Sequence, residues 1–220
     1  MDTQRILDYM ETLFPDAHCE LIHHNAYELL IAVMLSAQTT DAAVNKITPA
    51  LFEAYPDPVS LANADLKDIE TKIKRIGLYR NKAANIKACA QQLINQFHGE
   101  VPNTMETLTM LQGVGRKTAN VVLGVWFNIP SMPVDTHVER ISKRLGFAYY
   151  NDSVEKVEMK LKRKIERDEW NKAHHLFIFF GRYHCKAQSP NCENCALIDI
   201  CKRKGYDAYL ARKKRTTIKR

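Results

Sequence analysis

The stretch LQGVGRKTANVV, residues 111–122, decides the fold. One helix is predicted to end at Leu111, a Gly113-Val114-Gly115 hairpin follows, and a second helix is predicted over 116–127. Glycines at both turn positions allow an outside group to approach the backbone closely. The N–H groups that open the second helix then make a small anion trap. Arg116 and Lys117 fall on the positive end of that helix, where each cation costs ~0.3–1 kcal/mol. A polyanion docked on the same end would offset that cost. Taken alone, the hairpin reads equally well as an ordinary tight turn between helices.

Helical patterning extends outward from the hairpin in both directions, and no convincing strand is found, so the predicted fold class is all-α. Asn25 and Glu28 suggest a capping box before the all-apolar run LLIAVMLSA. Asp41 is expected to cap the next helix, which Thr48-Pro49 interrupts and restarts. Asp57-Pro58 opens a short helix, and residues 65–75 form another that stops near Gly77. Over 80–97, Ile86, Ala90, Leu93 and Phe97 share one helical face. Asn103 with Glu106 and Thr136 with Glu139 suggest two further capping boxes, the second opening a helix over 136–145 that ends at Gly146. Val154, Val157, Leu161 and Ile165 stripe one more helix, and 168–183 is predicted as the last long one.

The chain has 220 residues, 45% of them hydrophobic and 26% charged, with a formal charge of +7. This balance describes a globular protein that favours polyanions, although basic charge alone is weak support for nucleic-acid binding. No run of ~18 apolar residues is present, so no membrane span is expected. The opening MDTQRILDYMETLF mixes charged and apolar residues at helical spacing and lacks the order of a signal peptide. A cytoplasmic location is expected. The terminal RKKRTTIKR reads either as a solvated end or as an arm that touches phosphates.

Four of the six cysteines form the array Cys185-x6-Cys192-x2-Cys195-x5-Cys201. Disulfides are disfavoured in a cytosolic chain, so the spacing points to metal. Structural zinc commonly uses two tight Cys-x2-Cys pairs, and only one is present here. The wider gaps suit the corners of a cubane, so [4Fe–4S] is preferred over zinc, and four unligated thiols is the least favoured reading. Arg182, Lys186, Lys202, Arg203 and Lys204 are expected to offset the cluster's negative charge or to face phosphates. Cys19 and Cys89, alone on apolar faces, are expected in the core.

The hairpin stretch, then VDTHVERISKRLG at 134–146, then the cysteine array together resemble endonuclease III, and the likeness includes MLSAQTTD at 34–41 and IGLYRNKAANI at 76–86. That family comprises helix-hairpin-helix DNA glycosylases with AP lyase activity, and the likeness runs from about residue 25 to 201. The resemblance implies a six-helix barrel domain over 20–130 that contains the hairpin. It also implies a discontinuous α domain, 1–19 with 131–207, that carries a [4Fe–4S] cluster on Cys185, Cys192, Cys195 and Cys201. A DNA cleft between the domains is implied as well, and 208–220 is expected to be a basic tail. The implied partner is double-stranded DNA containing damaged pyrimidines or abasic sites, bound by a monomer.

By the same resemblance Lys117 is the nucleophile and Asp135 assists it. Gln38 fills the gap left by the flipped base, and Leu78 is a wedge that unstacks the opposite strand. Gly113, Gly115, Arg116 and His137 contact DNA. The chemistry suits these residue types. A lysine forms a Schiff base only when neutral, and an ordinary lysine is neutral in roughly one molecule in a thousand near pH 7.4. The helix end disfavours the ammonium, and desolvation is expected to add to that effect. Asp135 also reads as a plain helix cap, Gln38 as a helix-end residue and Leu78 as a half-exposed turn residue. The loop KAQSPN holds one lysine where relatives often carry several cations, so the basic tail is a candidate substitute. The related adenine-DNA glycosylase is disfavoured, because its catalytic Glu position matches Ala32 and it lacks a lysine matching Lys117. The rival of a different class is a non-catalytic iron–sulfur module for DNA binding or redox sensing.

Overall fold

The computed structural model describes residues 2–208 and 211, so of the basic tail expected over 208–220 only positions 208 and 211 fall within it. Every regular element among the described residues is helical, as the sequence predicts. The chain divides into two compact units, a continuous one over Cys19–Ser131 and a discontinuous one made of Met1–His18 and Met132–Arg220.

Helix α1 (Thr3–Leu13) opens the discontinuous unit. The continuous unit follows with α2 (Ala26–Leu35), α3 (Asp41–Asn45), α4 (Thr48–Ala54), α5 (Pro58–Asn63), α6 (Leu66–Ile73), α7 (Tyr79–Phe97), α8 (Met105–Met110) and α9 (Arg116–Val125). The discontinuous unit resumes with α10 (Thr136–Leu145), α11 (Val154–Lys164) and α12 (Trp170–Phe179). A π-helical turn over Phe180–His184 then leads into the cysteine segment.

Side-chain caps set most helix starts, as the composition of the connecting segments predicts, with instructive shifts. Asn25 caps α2 by accepting the Glu28 N–H at 2.8 Å, but Glu28 does not close a capping box. Its carboxylate accepts instead from the His24 N–H at 2.8 Å and pairs with His24 Nδ1. Thr40, not Asp41, caps α3. Thr104, not Asn103, caps α8. Thr40 and Thr104 have the extended backbone of a cap and accept the N–H groups of Ala43 and Thr107. The box expected of Thr136 and Glu139 likewise gives way to Asp135 as the cap of α10, while Glu139 pairs with Lys143 at 2.5 Å.

The core of the continuous unit is built around α2, where Leu29, Leu30, Ile31, Ala32 and Leu35 are all fully buried. Each such large aliphatic side chain contributes about 1.5–3 kcal/mol through its removal from water. Helix α2 packs on α7 and α9, and α5 and α6 pack on α7. Cys89 is buried in this core and Cys19 packs against it, as expected. The core of the discontinuous unit gathers Ile6 and Met10 of α1, Val138 and Ile141 of α10, and Phe177 and Phe180 at the end of α12. That packing explains why an N-terminal segment belongs with residues beyond Met132. Two polar clamps add to it: Arg5 pairs with Asp199 at 2.8 Å, and Tyr9 Oη donates to the Asn194 carbonyl at 3.0 Å.

Candidate active site

Helix α7 organises the site residues of the continuous unit. Gly113 adopts φ +78°, and a methyl group there would lie 2.9 Å from Asn85 Cβ and 3.1 Å from Met34 Cε. The turn therefore needs glycine at this position for both its backbone and its space. Beside it, Gln112 Nε2 donates to Asn85 Oδ1 at 3.3 Å, and the Gln112 N–H donates to Gln92 Oε1 at 2.6 Å. Gln92 Nε2 in turn donates to the Met110 carbonyl at 3.2 Å. The hairpin is thus pinned to two turns of α7. Gly115 has extended backbone, and nothing lies within 4 Å of a Cβ placed there, so its open side faces outward.

Helix α9 starts at Arg116 with no side-chain cap and no acidic residue in its first turn. Lys117 is exposed. The desolvation expected of it is therefore not supplied by the described residues, because the hairpin puts the side chain on the outer surface. Gln38 and Leu78 are also exposed, and both have left-handed backbone, with φ +56° and +59°. A bulky residue in that region stores about 1–3 kcal/mol of strain, which the surrounding structure must hold in place. Leu78 is 57% exposed, at the turn that opens α7.

Asp135 and His137 lie in the discontinuous unit, at the start of α10. Asp135 Oδ1 accepts both cap bonds, from the His137 N–H at 2.9 Å and the Val138 N–H at 2.8 Å. Neither bond uses Oδ2. The cap role and a chemical role are thus compatible on one carboxylate. Buried His174 Nδ1 lies 2.9 Å from the carbonyl of Pro133, within the segment that leads into Asp135. His137 is half-buried against Gly181, and burial together with Arg140 and Arg182 pushes its pKa down from the ordinary histidine value while Asp135 opposes the shift.

Helix α10 also reaches the cysteine segment. Arg140 Nη2 donates to the Gly181 carbonyl at 2.7 Å and the Cys185 carbonyl at 3.2 Å. One turn on, fully buried Arg144 donates to Cys185 Sγ at 3.4 Å and to the Lys186 carbonyl at 2.8 Å. Arg203 Nη1 donates to Cys192 Sγ at 3.1 Å. The four thiols of Cys185, Cys192, Cys195 and Cys201 line one pocket with Phe180 and Arg203. Burial pushes the thiols of Cys195 and Cys201 up. Of the cations expected beside the cluster, Arg203 meets a sulfur. The Lys202 contact is a backbone one, its N–H donating to the Arg144 carbonyl at 2.7 Å.

Sequence reading missed Arg140, Arg144 and Lys82. The two arginines sit among other cations in VERISKRLG, where nothing separates a solvated charge from the part-buried Arg140 or the buried Arg144. Lys82 is 6% exposed, in a helix turn that reads as solvated. Gly181 carried a weak signal: it breaks an apolar helix, and the helix expected over 168–183 becomes a π turn there. A methyl group at Gly181 would lie 2.9 Å from His137 Cβ, so close packing of the turn on α10 requires glycine.

A glycine-anchored hairpin that opens an uncapped helix, on an all-α scaffold with a four-cysteine segment, defines a helix-hairpin-helix protein. The family model described as HhH-GPD superfamily base excision DNA repair protein matches residues 31–167. The chain is 52% identical to the endonuclease III of Bacillus subtilis (strain 168) over 196 residues, covering 89% of this chain and 90% of that protein. Identity to the endonuclease III of Escherichia coli (strain K12) is 43% over 190 residues, covering 86% and 90%. A solved endonuclease III trapped with DNA as a covalent intermediate, an estranged-adenine complex, aligns with a TM-score of 0.89 at 55% identity, covering 92% of this chain and 96% of that one. A thermostable thymine-DNA glycosylase aligns with a TM-score of 0.80 at 22% identity, which speaks to the fold alone. The chain belongs to the endonuclease III family of the HhH-GPD superfamily.

Proposed function

We propose that Lys117 is the nucleophile of a Schiff-base mechanism that removes oxidised pyrimidines and then cuts the strand. The chain is a base excision repair DNA glycosylase and AP lyase. The observation that carries the assignment to Lys117 is its position, exposed in the first turn of a helix whose end has no side-chain cap. The trapped covalent complex of the 55% identical endonuclease III supports a nucleophile in this chain as well.

The damaged nucleotide leaves the duplex, and the neutral amine of Lys117 attacks C1′. The N–C1′ bond forms as the bond from C1′ to the base breaks, and the base departs with that electron pair. Ring opening yields the Schiff base. Loss of a C2′ proton then expels the 3′ phosphate, which cuts the strand 3′ to the lesion. Asp135 takes up the amine proton and balances positive charge on the sugar, using the Oδ2 that the cap leaves available. A duplex docked over α9 supplies the desolvation that the protein surface does not. Gly115 and Arg116 receive the DNA backbone, His137 a phosphate, and Gln38 and Leu78 enter the stack. The continuous unit acts as the helix-hairpin-helix domain and the discontinuous one as the cluster domain. The enzyme works as a monomer on duplex DNA in the cytoplasm.

The four thiols also fit a [4Fe–4S] cluster. All four thiols line the same pocket, and two arginines donate to their sulfurs. That shared pocket and that positive surround support an anionic cluster on Cys185, Cys192, Cys195 and Cys201. Cys185, Cys192, Cys195 and Cys201 would hold the cluster, which would cross-link their segment, and Arg144 and Arg203 would offset its negative charge.

The test is borohydride reduction during incubation with abasic or thymine-glycol duplexes. A covalent adduct that Lys117→Ala abolishes is expected. Iron-loaded wild-type protein that yields no adduct would instead make the chain a binding or redox-sensing module. Purified protein should contain about four irons per chain; stoichiometric zinc without iron would overturn the cluster assignment.

A further inference from the structure

Lys82 is nearly buried, at 6% exposure, and no carboxylate among the described residues pairs with it. Its Nζ donates one hydrogen bond, to Thr39 Oγ1 at 2.7 Å. Its backbone N–H donates to the Leu78 carbonyl at 3.0 Å. Thr39 directly follows Gln38, and its hydroxyl also reaches back 3.5 Å to the Ala37 carbonyl, so its contacts bracket Gln38. Lys82 is therefore bonded through its side chain to the loop that carries Gln38 and through its backbone, by the first hydrogen bond of α7, to Leu78 at the head of that helix. Those two exposed residues both hold left-handed backbone.

We infer that Lys82 is a positioning residue that couples the Gln38 and Leu78 loops, so that both enter the DNA stack as one unit. The inference rests on the reading of Gln38 and Leu78 as insertion residues. A buried ammonium with a single neutral partner is a poor stabiliser of a fold, and an apolar side chain of similar length would suit the site better. Burial pushes the amine down from the ordinary lysine range, consistent with that cost. What the ammonium supplies, and methionine cannot, is a strong directional donor to the Thr39 hydroxyl. A strained loop at the tip of a site needs such a partner to keep one conformation. Lys82 touches no reacting atom in this account and acts through the two loops.

The experiment uses the iron-loaded full chain and a thymine-glycol duplex with 2-aminopurine beside the lesion. Lys82→Met and Thr39→Val should each lower the fluorescence rise on binding and slow single-turnover base removal by about ten-fold, the worth of one charge-assisted hydrogen bond. The double variant should be no slower than either single one, because both break the same contact. Affinity for undamaged duplex, its salt dependence and the thermal midpoint should hold or, for the midpoint, rise. Lys82→Arg should recover part of the rate. Wild-type behaviour of Lys82→Met, or additive losses in the double variant, would overturn the coupling. A changed salt slope with a silent Thr39→Val would mean that Lys82 meets phosphates instead, which also overturns it. Gln38→Ala and Leu78→Ala serve as controls. If both are silent, the insertion reading fails and the inference falls with it, whereas a silent Lys82→Met beside active controls removes the inference alone.

Discussion

Two helix starts in this molecule are built in opposite ways. Helix α10 begins with an acid, Asp135, whose one oxygen accepts two backbone N–H groups, and Glu139 follows in the first turn. Helix α9 begins with Gly115, Arg116 and Lys117, with no acid and no capping side chain. The first arrangement neutralises the positive end of the helix, and the second leaves it exposed and adds positive charge. A protein selected for stability alone would build both like α10. The contrast marks α9 as a surface completed by something anionic from outside. It also makes the two starts complementary in chemistry, one offering an amine and the other a carboxylate oxygen.

Changing Lys117 should break the comparison most severely. Lys117→Ala should lower lyase activity by about 10⁴-fold or more and abolish borohydride trapping. The same change should leave stability equal or raise it by ~0.3–1 kcal/mol, because it removes a cation from a positive helix end. Loss of both activity and stability in denaturant titration would mean that the lysine is structural.

At the other start, Asp135→Asn keeps a good cap and removes the charge. Base removal should slow by about 10²-fold or more in single-turnover assays, with DNA binding and the unfolding midpoint nearly unchanged. Asp135→Ala should show the same loss of rate and in addition cost about 1 kcal/mol of stability through the missing cap. Equal loss of binding and rate in Asp135→Asn would reduce this residue to a cap.

The two hairpin glycines sharpen the contrast at smaller scale. Gly113→Ala should destabilise the protein by about 1–3 kcal/mol, since it meets both positive φ and the Asn85 side chain. Gly115→Ala meets nothing within 4 Å, so its unfolding midpoint should barely move while affinity for duplex DNA falls. A destabilised Gly115→Ala would show that its open side serves the fold and not a ligand.

The smallest effect concerns the sulfur partners. Arg203→Gln should leave trapping of abasic DNA within about two-fold but lower the temperature at which the chain loses iron, through one missing charge-assisted hydrogen bond to Cys192. Unchanged iron retention would mean that this contact is incidental.

Much of this architecture was legible in the linear chain. The helical periodicity of 80–97, the glycine at 146 and the caps at Asn25 and Asp57 act over a few residues, so short-range patterns report them. Boundaries with two adjacent capping residues, such as Thr40 beside Asp41, were not decidable that way. Nor was the end of α12, where Arg140 of a distant helix takes the carbonyls of Gly181 and Cys185.

The residue sequence by itself determined the all-helical class, the four-cysteine array and the placing of two cations at the head of one helix, because spacing and residue type carry those features. Only the tertiary structure decided which charges are buried. Lys82 and Arg144 look like any surface cation until packing removes the water around them. It also decided that Asp135 caps a helix through one oxygen only, and that Gly113 rather than Gly115 is demanded by its neighbours. The reason is that burial and steric contact depend on residues far apart in the chain, and no local pattern encodes where those residues meet.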